Sequence, residues 1–231
     1  MIIFGDFMDT KKLFLEIEGD NYYNRNKEAL NKEISSEIQF YSSFLSTCDI
    51  NMDENTKIVE IGAANGRNLN YLHKKFGCNV SGIEPSSDAV IDGNTKFFNG
   101  KDVLLKGTSD DLPYDDESID IVMFGFSLFW VGRNYLFRSV AEADRILKPG
   151  GYLLLTDFDT INYYKRVNVH NKDAFTYKMN YANLFLANPQ YFLVEKKSFS
   201  HSDLVFNADI QERVSAQILY KDFEENVYIL D

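Results

Sequence analysis

The chain has 231 residues, of which 45% are hydrophobic and 15% aromatic, so it buries a sizeable core and is not a disordered chain. A formal net charge of −11 repels phosphate backbones and anionic lipids, so neither nucleic acid nor a membrane surface is an expected partner. Two cysteines, Cys48 and Cys78, make no disulfide framework and fit a reducing, cytoplasmic setting; the longest nearly apolar run, residues 121–131, is too short to span a bilayer.

Met1, Ile2, Ile3 and Phe4 open the chain, but Asp6 follows with no basic residue before it, so no secretory leader is expected. Residues 1–50 read as an N-terminal helical cap. Within it Leu30, Ile34, Ile38 and Tyr41 recur at helical spacing over 26–44, after a polar, aromatic stretch at 18–26. From 57 to 157 strands and helices alternate. Strands are expected at 58–61, 80–83, 102–105, 119–124 and 152–156. One helix carries Leu69, Leu72 and Phe76, and another carries Leu136, Val140, Ala143 and Leu147. Residues 191–199 and 214–221 read as two final strands. Strands separated by helices require right-handed crossovers. The expected fold is therefore α/β: Rossmann-like and doubly wound, with a mostly parallel seven-stranded sheet whose last strand is antiparallel. The main domain covers 51–231, with an insertion at 158–190 over the sheet's carboxyl edge.

The strongest local signal is a buried strand that runs into Gly62, Ala63, Ala64 and Gly66 and then into a helix. Small residues let a ligand lie against the backbone, and the helix N-terminus offers free N–H donors. A ligand-free strand–helix turn is the competing reading. A dinucleotide fingerprint would place glycine at first, third and sixth positions; here those are Gly62, Ala64 and Arg67, and Arg67 fills the slot that closes helix onto strand. Glu84 ends the second strand, 22 residues after Gly62, where a carboxylate can accept from both hydroxyls of a ribose. Glu84 alone fits a nicotinamide dinucleotide equally well. The loop after the third strand reaches the same edge, where Ser109 or Asp110 can bond a purine edge while Leu112 packs on its face.

The order Glu60-x-Gly62-x-Ala64-x-Gly66, an acid after the second strand, Leu112-Pro113-Tyr114 with Ser118-Ile119-Asp120-Ile121-Val122, and Arg145-Ile146-Leu147-Lys148-Pro149-Gly150-Gly151 resembles class I S-adenosylmethionine-dependent methyltransferases, in the subgroup that acts on small molecules. The resemblance covers about residues 57–157. It implies S-adenosylmethionine as cofactor and a small-molecule acceptor. Glu60, Gly62, Ala63 and Gly66 would line the methionine end, Glu84 would hold the ribose, and Ser109 and Asp110 would sit beside the adenine. Phe126 and Ser127 would lie near the methyl group. Ala64 stands where glycine is common, and Thr108 where an adenine-contacting Asp is common. Residues 21–26 resemble a segment of methyltransferases associated with bacterial surface-sugar pathways. That likeness implies a sugar or nucleotide-sugar acceptor, with Tyr23 and Arg25 reaching the cofactor's carboxylate.

Methyl transfer is an in-line displacement, and a base is needed only if the acceptor must lose a proton. The expected catalytic residues are His170, Asp157 and Tyr163, with Asp159 and Tyr164 beside them, and His170 leads because an imidazole titrates nearest neutrality. His73 and His201 read as structural. Phe124, Phe126, Phe129, Trp130, Phe158, Tyr163 and Tyr164 are candidates for a substrate wall or for plain core. The cysteines and three histidines are too scattered for a metal site. Two rival functions remain at this stage: an NAD-dependent oxidoreductase, and a non-catalytic cofactor-binding partner subunit.

Overall fold

A computed structural model describes residues 9–31, 36–201 and 205–229. Strands β1 (Lys57–Ile61), β2 (Asn79–Glu84), β3 (Leu104–Lys106), β4 (Ile119–Gly125), β5 (Leu147–Phe158), β8 (Tyr191–Ser200) and β9 (Arg213–Lys221) form one sheet in the order β3-β2-β1-β4-β5-β9-β8. The first five strands are parallel, and β9 runs antiparallel to both of its neighbours. This is the expected seven-stranded, doubly wound sheet with an antiparallel last strand.

The continuous apolar runs explain the sheet's centre. Ile121, Val122, Met123 and Phe124 in β4 and the stretch from Tyr152 to Phe158 in β5 are buried, as strands covered on both faces must be. Helices α4 (Arg67–Phe76), α5 (Ser87–Phe98) and α6 (Arg133–Ile146) supply the cover. The strand order reverses between β1 and β4, which opens a crevice at their carboxyl ends.

The N-terminal region departs from the sequence reading. Residues 26–44 are not one helix: α2 (Gly19–Leu30) stops at Asn31, α3 (Ser36–Leu45) follows, and residues 32–35 lie outside the described set. The polar stretch read as preceding a helix is itself α2. Asp, Asn and Tyr are weak helix formers, so tertiary bonds decide here. Tyr23 Oη donates to Asp92 at 2.5 Å, Asn24 Nδ2 to Asp88 at 2.7 Å, and Asp20 accepts from Ser86 Oγ and the Asp88 N–H. These bonds clamp α2 onto the start of α5.

Ahead of α2, α1 (Thr10–Leu13) passes through a π-turn, Phe14–Glu18. The insertion is a separate hairpin, β6 (Tyr164–Val167) with β7 (Phe175–Lys178), followed by α7 (Ala182–Phe185). Its turn meets the cap: fully buried Glu18 accepts from Arg25 at 2.6 Å and from Asn171 at 2.8 Å. Among the described residues no helix is long and apolar enough to cross a membrane.

Candidate active site

A cavity of about 360 Å³ lies over the carboxyl ends of β1, β2 and β4, closed from above by the cap. The β1–α4 loop forms its floor. Gly62, Ala64 and Gly66 all adopt left-handed backbone, with φ of 78°, 47° and 71°. The Gly62 and Ala63 N–H groups both donate to the Ile83 carbonyl, which fastens the loop to β2. A Cβ on Gly62 would lie 2.4 Å from Ser127 Cβ, so glycine is required both by its φ and by the close approach of the β4 loop.

Gly66 has a different reason. A Cβ there would press on Leu104 and Phe98 at 3.0 Å, so this position serves the packing of α4 onto the sheet edge, and Gly66 does not line the cavity. Ala64 holds the left-handed conformation without glycine, at the roughly 1 kcal/mol that such backbone costs.

Two buried carboxylates define the polar end. Glu84 Oε2 accepts from the Ala64 N–H at 2.8 Å and Oε1 from the Ser86 N–H at 2.9 Å. Burial pushes its pKa up to about 7, partly offset by those two bonds. Glu60 Oε1 accepts from Asn68 Nδ2 at 2.9 Å, while Glu60 Oε2 and Asn68 Oδ1 are buried with no partner. Burial also raises Glu60 to about 7, and the Asn68 bond offsets part of this. Two orphan acceptors on neighbouring residues of one cavity wall leave a place for a donor, best a cationic one.

Of the three adenine-side candidates, Ser109 and Asp110 line the cavity and Leu112 does not. Ser109 lines the cavity, its Oγ 2.7 Å from Ser139 Oγ. Asp110 is buried; burial opposes its ionisation, but Lys11 at 2.9 Å and Thr108 at 2.7 Å hold its pKa below the ordinary value. Lys11 reaches it from 99 residues away. Leu112 is buried outside the cavity, and its N–H donates to Glu142 at 2.8 Å.

Tyr23 lines the cavity, but its hydroxyl is committed to Asp92, and Arg25 is drawn off by Glu18 to a position outside the lining. Their neighbours Tyr22 and Arg67 line it as well. Arg67 anchors the cap through Nη1 to the Ala29 carbonyl at 3.0 Å.

None of the expected catalytic residues reaches the cavity. His170 and Tyr163 are exposed on the insertion, which folds around the β6–β7 hairpin and contributes no lining residue to the cavity. Asp157 lies inside β5, fully enclosed, accepting from the Phe129 N–H at 3.1 Å and the Phe158 N–H at 2.7 Å. Burial lifts its pKa to about 8. It holds the 3₁₀ turn Leu128–Trp130 in place and does not contact the cavity.

Two lining residues differ from the sequence reading, one in backbone and one in role. Phe126 stands just past β4 as expected, but with φ of 52°, a left-handed conformation that a bulky residue rarely adopts. His201, read as structural, lines the cavity with its ring 5.7 Å from that of Phe126 and stacked on Phe158 at 5.2 Å. Nothing local in the sequence marks it. Among the described residues no group of three or more His, Cys, Asp or Glu could hold a metal ion.

Known proteins resemble this chain in sequence and in fold. Residues 59–155 match the family described as a methyltransferase domain. A phosphoethanolamine N-methyltransferase of Plasmodium falciparum is 29% identical over 64% of this chain and 51% of its own length. A fatty-acid O-methyltransferase of Mycolicibacterium smegmatis is 29% identical over 52% of this chain and 42% of its own. The chain thus spans about half the length of the curated relatives it matches. Among solved structures, a Burkholderia thailandensis 1,6-didemethyltoxoflavin-N1-methyltransferase with bound S-adenosylhomocysteine superposes with a TM-score of 0.68 at 12% identity, covering 91% of this chain and 88% of that one. Residues 59–155 thus resemble a methyltransferase domain, and the chain shares the fold of that solved methyltransferase.

Proposed function

We propose that the chain is an S-adenosylmethionine-dependent methyltransferase that acts on a small-molecule acceptor. One observation carries the reading: the orphan pair Glu60 Oε2 and Asn68 Oδ1, in the wall of the cavity that also holds Glu84. An amino-acid ammonium is a cation with three N–H donors, and these acceptors suit it. Each Glu84 oxygen already accepts one backbone N–H and keeps a lone pair for a ribose hydroxyl. Ser109 and the Gly107–Thr108 backbone line the part of the cavity that would take the base. The residues present therefore fit the cofactor.

When bound, the cofactor supplies a methyl group made electrophilic by its sulfonium. This chain's residues bind, orient and exclude water. Glu60 ionises against the ammonium, Glu84 fixes the ribose, and Phe126 and Ser127 shape the wall past β4. The cap, pinned by Glu18, Arg25 and Asn171, shields the cofactor end of the cavity from solvent. The acceptor is a small molecule, as it is for the relatives named above. A sugar or nucleotide-sugar acceptor is the narrower reading, and it rests on residues 21–26 alone, whose Tyr23 and Arg25 are engaged in holding the cap.

Calorimetry with S-adenosylhomocysteine tests the reading: saturable binding by the folded chain is expected, and none at high micromolar ligand refutes it. Tight binding of NADH in its place would favour an oxidoreductase. Binding of S-adenosylhomocysteine with no transfer from the methylated cofactor to any of a panel of nucleotide sugars, phenols, amines and fatty acids would favour the non-catalytic partner subunit.

A further inference from the structure

Beyond the polar end the cavity changes character. Part of its remaining wall is a connected arc of rings. Tyr22 meets Trp130 edge-on at 5.7 Å, Trp130 meets Phe129 at 4.7 Å, and Phe129 meets Phe158 at 5.3 Å. Phe158 stacks on His201 at 5.2 Å and 28°, and His201 meets Phe126 at 5.7 Å. All but Phe158 line the cavity, so Phe158 is the backing on which His201 and Phe129 are set. The arc is drawn from four separate parts of the chain, and Phe126 is held in left-handed backbone at about 1 kcal/mol or more to complete it. Strain of this kind persists only where the surroundings enforce it, and it concentrates at working sites.

His201 ends the arc. Its backbone N–H donates to the Glu212 carbonyl at 2.8 Å, which fixes the residue at the end of β8. Among the described residues its ring nitrogens have no hydrogen-bond partner. The other two histidines are elsewhere: His73 Nδ1 lies 2.8 Å from the Cys78 carbonyl, and His170 is exposed on the hairpin. Of the acids that line the cavity, Asp110 is paired with Lys11, Glu84 is held by two N–H groups, Glu60 faces the orphan site, and Glu37 lies within electrostatic reach of Glu60.

We propose that the acceptor is a molecule with a flat, unsaturated or aromatic body bearing an acidic O–H or N–H, that its faces pack in the arc, and that His201 takes its proton. This rests on the methyltransferase reading above. Stacked rings favour a flat partner through offset and edge contacts. In the step, the acceptor's lone pair forms the new bond to the methyl carbon, the carbon–sulfur bond breaks with its pair going to sulfur, and the acceptor's proton passes to a ring nitrogen of His201. The imidazolium then returns the proton to water, to which His201 remains open. The charged groups facing His201 are Glu212, ahead of β9, and Lys178, on β7. Packing lowers the His201 pKa, Glu212 opposes this and Lys178 adds to it, so the ring is neutral and able to accept at pH 7.

The test uses the full chain loaded with S-adenosylhomocysteine and 1-naphthol as the probe, with octanoate as the aliphatic comparison. Trp130 is the only tryptophan in the sequence, so intrinsic fluorescence reports on the arc directly. Naphthol is expected to change that fluorescence saturably and to shift the His201 ring resonances in the NMR spectrum, and octanoate to do neither. With the methylated cofactor, transfer to naphthol is expected to fall ~10²-fold or more in His201→Gln while S-adenosylhomocysteine affinity stays within about twofold. His201→Phe keeps a ring in the wall and should keep naphthol binding while losing transfer. Several results overturn the proposal: no naphthol binding by the loaded chain, binding that leaves His201 unmoved, displacement of naphthol by octanoate, or undiminished transfer in both variants. Each of these leaves S-adenosylhomocysteine binding intact. If that binding itself is absent, it is the methyltransferase reading that has failed.

Discussion

Replacing Glu60 by Gln should do two opposite things. In the ligand-free chain the Glu60 carboxylate is buried with one oxygen unpartnered, and its pKa rises from 4.5 to about 7 because burial disfavours the charge. At 1.36 kcal/mol per pKa unit this is a cost of roughly 3 kcal/mol to the folded state once the pH exceeds 7. Glutamine carries no charge, its carbonyl can keep the Asn68 Nδ2 bond, and its amide can donate to the orphan Asn68 Oδ1. Glu60→Gln should therefore raise the melting temperature of the ligand-free chain at pH 8 by several degrees, at ~2–4 °C per kcal/mol for a chain of this size. At pH 5, where Glu60 is already protonated, the gain should shrink to the amide contact alone. Under the proposed function, the same substitution removes the charge that would hold the ammonium. A hydrogen bond to a charged group is worth about 1.5–3 kcal/mol, so S-adenosylhomocysteine should bind roughly 10- to 150-fold more weakly. Scanning calorimetry at the two pH values and titration calorimetry at pH 8 read both effects. A variant that is less stable than the parent at pH 8, or that binds equally well, refutes the assignment of Glu60 as a charge held ready for a cation.

The ligand-free chain should lose stability as the pH rises from about 5 to 8.5. Glu60 and Glu84 near 7 and Asp157 near 8 keep protons in the folded state that the unfolded chain releases near 4, so their contribution is full below 4 and gone above 8. Saturation with S-adenosylhomocysteine should flatten this trend, and a melting temperature that climbs across the range contradicts it. Gly62→Ala places a Cβ 2.4 Å from Ser127 Cβ on left-handed backbone and should cost at least 1–3 kcal/mol and most S-adenosylhomocysteine affinity; adding Ser127→Gly should recover part of the stability, and no recovery would mean that the backbone alone is at fault. Asp157→Ala strands the Phe129 and Phe158 N–H groups and should cost about 2 kcal/mol or more and shift Trp130 fluorescence, yet leave S-adenosylhomocysteine binding near normal, as a loss of binding would place Asp157 at the cofactor.

The sheet and the β1–α4 loop are readable from sequence because their determinants are local. A buried strand, a left-handed glycine and an amphipathic helix follow one another within 20 residues of Val59, and the period of each is set by its own backbone. Spacing alone, though, cannot distinguish a glycine needed by a ligand from one needed by a neighbour. Gly62 and Gly66 look alike in the sequence, and only the contacts separate the cavity floor from the packing of Leu104 and Phe98. Nor can composition assign partners to like residues: Arg25 and Arg67 both suit a carboxylate, and it is buried Glu18 that draws Arg25 away.

The acceptor side is hidden for a related reason, which also bears on the expected base, His170. A proton acceptor can be named from sequence only when the loop that carries it is known to reach the site. His170 lies in the segment that follows the fifth strand, which has the right address, but Thr160 to Lys178 closes on itself as a hairpin, and its turn is spent on pinning Glu18 through Asn171. His201 arrives from the far edge of the sheet. Because β9 runs antiparallel between β5 and β8, β8 points in the same direction as β5, and its last residues emerge beside Phe158 and Phe126. The reversed strand, the one irregularity of an otherwise parallel sheet, is thus what delivers a histidine to the carboxyl edge where the cavity opens.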